Sequence, residues 1–136
     1  MIHHTRAYLL LFLFLCGIIG TWFIGLALDL QYYYRWFDIF LHMGGGMWTA
    51  AFLGIFFKTH HTFATGPWSF FMAFFAIVGG ALLVGIFWEF IEFFADRVII
   101  GSGFSYFSGA VEDTLSDLWF DFVGATMGYL LINNKI

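Results

Sequence analysis

Apolar positions along the chain gather into four long runs, each closed by polar or turn-forming residues. A helix crossing the roughly 30 Å hydrocarbon core of a bilayer needs about 20 mainly apolar residues. Runs of that length lie at about 7–28, 36–57, 69–95 and 114–132. The expected fold is all-α: a polytopic membrane protein, a bundle of four transmembrane helices forming one domain over residues 1–136. The first run carries no charge, is too long for a signal-peptide core and lacks a small-residue cleavage site, so it is read as a retained helix. Trp36, Trp68 and Trp119 fall near the proposed ends, where amphipathic rings suit the headgroup layer. The connection 29–35, with Tyr32, Tyr33 and Tyr34, and the connection 58–68, with the sole proline Pro67, read as turns. The third connection, 97–112, is rich in Gly, Ser and aromatic residues. It is expected to lie in the interface, to fold over the membrane face or to form a plain surface loop.

Composition identifies the solvent. The chain is 62% hydrophobic and 10% charged, against about 25% charged in an ordinary soluble domain. With 21 phenylalanines and five Lys+Arg, one soluble core cannot hide the apolar surface, so side chains face lipid. A formal net charge of -4 offers no basic footprint for nucleic acid, which excludes that class of partner. Lone Cys16 lies inside an apolar run and reads as a packing residue, since one cysteine supports neither a disulfide framework nor a thiolate metal site. Arg6, Lys58 and Lys135 fall on one side of the membrane and Arg35 and Arg97 on the other. Together with the N-terminal amine and the pairs His3, His4 and His60, His61, this bias favours both termini in the cytoplasm. The histidine pairs themselves read as solvated tails and turns.

Charge matters most where it is concentrated. Of nine acidic residues, seven (Asp38, Glu89, Glu92, Asp96, Asp113, Asp117 and Asp121) fall at the start of the second helix, the end of the third and the start of the fourth. In an antiparallel bundle those ends share one membrane face, opposite both termini. Spacings of three and four place each set on one helix face: Asp38 with His42, Glu89 with Glu92 and Asp96, Asp113 with Asp117 and Asp121. Each polar stripe continues as small residues, through Gly46, Ala50 and Gly54, through Gly85 and Ala81, and through Gly124 and Gly128. Small residues let membrane helices approach closely, so the three stripes are expected to face one another. Gly17, Thr21 and Gly25 make a similar row on the first helix with no acid, which suits a supporting position. Gly44, Gly45 and Gly46 sit inside a membrane helix and read as packing or a kink rather than a phosphate loop.

Two carboxylates about 6 Å apart repel by roughly 3 kcal/mol at an effective dielectric of 20. Relief comes from protonation, from pairing with Arg35 and Arg97, or from a bound cation. Carboxylates with one imidazole suit a hard or borderline divalent ion such as Mg²⁺, Mn²⁺, Ca²⁺ or Zn²⁺. Asp96 and Asp113 lie near helix ends, where Asp113, or Thr114 in its place, serves equally as an N-cap. Asp38, His42, Glu89, Glu92, Asp117 and Asp121 lie within apolar sequence, where an ionisable group is functional by default.

The motifs Asp38-Ile39-Phe40-Leu41-His42 followed by the glycine run, Trp88-Glu89-Phe90-Ile91-Glu92, and Asp113-Thr114-Leu115-Ser116-Asp117 leading into Gly124-Ala125 resemble the YjdF-like family of small bacterial membrane proteins. They span the last three helices. A looser similarity to the VanZ-like family implies the same general architecture. The resemblance implies a multi-pass protein of the bacterial inner membrane and names no reaction.

The function expected from these residues is a metal-dependent enzyme acting on a lipid or lipid-linked headgroup at the outer face. Asp38, His42, Glu89, Glu92, Asp117 and Asp121 hold one or two divalent ions, Glu92 serves as general base, and Arg97 or Arg35 clamps a phosphate. The Glu-x-x-His signature of ferritin-like carboxylate bundles is absent. The alternatives are a cation or proton transporter, in which an oligomer supplies a path, and a noncatalytic subunit whose acids bind a partner's basic residues.

Overall fold

The computed structural model of the chain describes residues 2–28, 30–60, 69–100 and 109–133. Asp29, His61, Pro67, Trp68, Lys135 and residues 101–108 of the third connection lie outside the described residues, as do the side chains of His3, His4 and Tyr32. The elements are helices α1 (Ile2–Ala27), α2 (Leu30–Tyr33), α3 (Arg35–Thr59), α4 (Ser69–Ala95) and α5 (Ala110–Asn133), with a π-helical turn, Asp96–Ile100, following α4. Among the described residues, four stretches are long and apolar enough to cross a membrane: Thr5–Ala27, Arg35–Thr59, Ser69–Val98 and Ala110–Asn133. The four-helix membrane bundle follows.

Two helices begin earlier than the apolar runs. Residues 2–6 contain no Gly or Pro, so nothing there opposes helix; the run marks the part suited to hydrocarbon. In α5 the first turn contains Glu112 and Asp113, carboxylates that the positive end of the helix dipole favours. The Asp113 N–H donates to the Gly109 carbonyl at 3.0 Å. Asp113 and Thr114 are thus inside the helix, and neither is its cap.

The deepest contact is between α3 and α5, which run parallel. A Cβ added at Gly124 would strike the Met43 carbonyl, one at Gly128 the Met47 carbonyl, and one at Gly46 the Asp121 backbone. Bare glycine is what lets these two backbones meet. The α4 helix closes the third side through Ile77, Val78 and Ala81, which form a core with Ala50, Ala125 and Tyr129. The α1 helix packs mainly on α3, where the Trp48 indole N–H donates to the Leu11 carbonyl at 2.7 Å. Its row of small residues is partly empty, because a Cβ at Gly17 would meet nothing within 4 Å. Cys16 on the same helix is exposed. Large apolar side chains such as Phe75, Phe87 and Phe90 face outward, which lipid tolerates and water would not.

Near the opposite end of the bundle from the acids, the Tyr129 hydroxyl donates to the Phe70 carbonyl at 2.9 Å, and the Lys58 ammonium to the Ile132 carbonyl at 2.6 Å. Tyr129 is 3% exposed, so its hydroxyl bond ties α5 to the start of α4 in apolar surroundings, over and above the helical bond that the Phe70 carbonyl already accepts. Tyr129→Phe is expected to destabilise the bundle by about 1 kcal/mol, read as a lower midpoint of unfolding in mixed detergent micelles. An unchanged midpoint would show the bond to be energetically idle.

Candidate functional site

The stripes do converge. Because α3 and α5 run parallel, Asp38 and His42 on one lie level with Asp117 and Asp121 on the other. The antiparallel α4 brings Glu89 and Glu92 to the same depth. At the centre is His42, 5% exposed, with Asp117 at 3% and Asp121 at 4%. The imidazole has carboxylates on both edges. Nδ1 lies 3.3 Å from Asp121 Oδ2, whereas Nε2 lies 3.7 Å from Glu89 Oε1 and 3.9 Å from Asp38 Oδ1. The last two separations are longer than hydrogen bonds.

Glu89 is aimed by a residue on another helix. The Thr114 hydroxyl donates to Glu89 Oε2 at 2.8 Å, which turns Oε1 toward His42. That oxygen is buried and has no hydrogen-bond donor among the described residues, an arrangement that costs free energy unless a proton or cation completes it. Thr114 was legible only as an alternative cap. The signal for its real place is its position on the α5 face that carries Asp117 and Asp121, where an acceptor from α4 has to find a donor.

Among the described residues, two sets of groups offer ligand atoms within 4.8 Å of one another: Asp38, His42 and Asp117, and His42, Glu89 and Glu92. Opposite ligands on a Ca²⁺ ion at 2.3–2.6 Å stand about 4.6–5.2 Å apart, and on Mg²⁺ about 4 Å. Small side-chain movements would therefore close either set on a hard divalent ion. His42 belongs to both sets. Asp121 belongs to neither set: it meets the opposite ring nitrogen.

Arg35, Asp96, Arg97 and Asp113 lie at the ends of the helices that carry the cluster. Arg35 pairs with Asp113 at 3.6 Å with its side chain 60% exposed and donates to the Glu112 carbonyl at 3.5 Å. It tethers the start of α3 to the start of α5 at the mouth of the cluster. Arg97 lies in the π-helical turn with its guanidinium 4.8 Å over the Phe93 ring, and Asp96 begins that same turn. Neither Arg97 nor Asp96 is in a ligand set.

A family model described as "Predicted membrane protein (DUF2238)" matches residues 2–134, which agrees with the YjdF-like resemblance. No curated protein and no solved structure matches the chain.

Proposed function

The chain belongs to the DUF2238 family of predicted membrane proteins, and we propose that it is a divalent-cation-dependent enzyme of the bacterial inner membrane acting on a lipid or lipid-linked headgroup. Both termini are cytoplasmic in this reading, which places the cluster at the outer face. The supporting observation is the buried His42 ring facing the donor-free Glu89 Oε1. Asp38, His42, Glu89, Glu92 and Asp117 hold an ion such as Mg²⁺, Mn²⁺, Ca²⁺ or Zn²⁺. Such an ion polarises a phosphoryl oxygen or acidifies a bound water. When Asp38, His42 and Asp117 bind the ion, Glu89 and Glu92 are left outside the occupied set, and Glu92 takes the proton. Arg35 stands at the mouth, where a phosphate can exchange with Asp113, and Arg97, in the turn that follows α4, is the second phosphate clamp of this reading.

A transport path is less well supported. Immediately beyond Asp121, the glycine contacts of Gly124 and Gly128 with the Met43 and Met47 carbonyls close the α3–α5 seam.

The first test is metal analysis of protein purified without chelator. Wild type is expected to carry equimolar divalent metal, and Glu89→Gln and Asp117→Asn distinctly less. Equal, near-zero metal in all three would remove the ion. Release of a lipid-linked headgroup in proteoliposomes, with no cation flux, then supports the enzyme; flux without hydrolysis supports a transporter.

A further inference from the structure

We propose that Asp121 is a positioning residue for His42, whose carboxylate holds the Nδ1–H so that Nε2 is the nitrogen presented to the ligand carboxylates. The inference rests on the cation reading above and gives Asp121 a role other than ligation.

Three observations carry it. First, Asp121 Oδ2 meets Nδ1 at 3.3 Å, while Glu89 and Asp38 face Nε2. The ligand side and the Asp121 side are thus opposite edges of one ring. Second, Asp121 is absent from both ligand sets although it is among the most buried carboxylates. A buried carboxylate accepts hydrogen bonds and donates none when ionised, so it needs a donor. Nδ1–H supplies one whether the ring is neutral or protonated. Third, the carboxylate occupies a slot made by missing side chains. A Cβ at Gly85 would overlap the Asp121 carboxylate, and one at Gly46 would overlap the Asp121 backbone. Two helices therefore omit a side chain where this one residue sits. A carboxylate that holds one imidazole nitrogen fixes the ring orientation and raises the ligand strength of the other.

The test uses the full chain in nanodiscs with isotope-labelled histidine, His42→Gln identifying the resonances, and Zn²⁺ as the probe. In wild type, Nδ1 is expected to bear a hydrogen-bonded proton and Zn²⁺ to perturb Nε2. Asp121→Asn should disturb the Nδ1 signal and weaken Zn²⁺ binding about 10–100-fold with stoichiometry retained. Gly85→Ala displaces the carboxylate without changing any charged group and should weaken Zn²⁺ in the same range. A His42 ring carrying its only proton on Nε2, ligation through Nδ1, or unaltered Zn²⁺ affinity in both variants would overturn the assignment. Should wild type take up no Zn²⁺, the cation reading fails and the nitrogen signals decide alone. Nδ1–H bonded in wild type and released in Asp121→Asn upholds the positioning role, and identical signals in the two proteins reject it.

Discussion

Replacing His42 by Ala is expected to abolish divalent-cation binding, a loss of at least about 100-fold in affinity, which exceeds the 10–100-fold typical of removing an outer partner. The reason is its double membership. Asp38 and Asp117 complete one ligand set, Glu89 and Glu92 the other, and His42 alone belongs to both. A carboxylate variant such as Glu92→Gln leaves the Asp38, His42, Asp117 set intact and should retain measurable binding, whereas His42→Ala leaves neither set complete. Calorimetric titration of Mn²⁺ or Zn²⁺ into the folded variants reads the difference. An affinity in His42→Ala equal to that of Glu92→Gln would show that the carboxylates hold the ion without the imidazole.

The second large effect concerns the seam on which the site stands. Gly124→Ala and Gly46→Ala each drive a Cβ into backbone, of Met43 and Asp121 respectively. Backbone cannot rotate aside as a side chain can, so the cost should reach the upper end of the overpacking range, about 3 kcal/mol. Gly17→Ala and Gly20→Ala provide the contrast, because a Cβ at either position meets nothing within 4 Å. Relief of glycine's conformational freedom in a helix then favours the variants by up to about 1 kcal/mol. Unfolding midpoints in mixed micelles should fall sharply for the first pair and stay level or rise for the second. Equal midpoints for Gly124→Ala and Gly17→Ala would mean that α3 and α5 do not approach at their backbones.

The ends of helices show the limit of reading runs. The start of α5 was expected near 114 because Glu112 and Asp113 interrupt apolar sequence, yet a first helical turn welcomes carboxylates, and the helix begins at Ala110. In the same way α1 begins at Ile2, since charge interrupts membrane crossing without interrupting helix. The third connection keeps some helix at both ends, through the turn Asp96–Ile100 and the start of α5.

By itself the sequence determined the solvent, the number of spans, the face on which the acids gather and the glycine rows behind them. These follow from local rules: about 1.5 Å of rise and 100° of rotation per residue turn a spacing into a depth and a direction. Tertiary structure alone decided which atoms meet. That Asp121 faces Nδ1 while Glu89 faces Nε2, and that Thr114 holds Glu89, depend on how far one helix is rotated against another. Glycine–backbone contacts between α3 and α5 fix that rotation. A pairing between residues 79 positions apart, such as His42 with Asp121, is set by that approach and carries no periodicity along the chain.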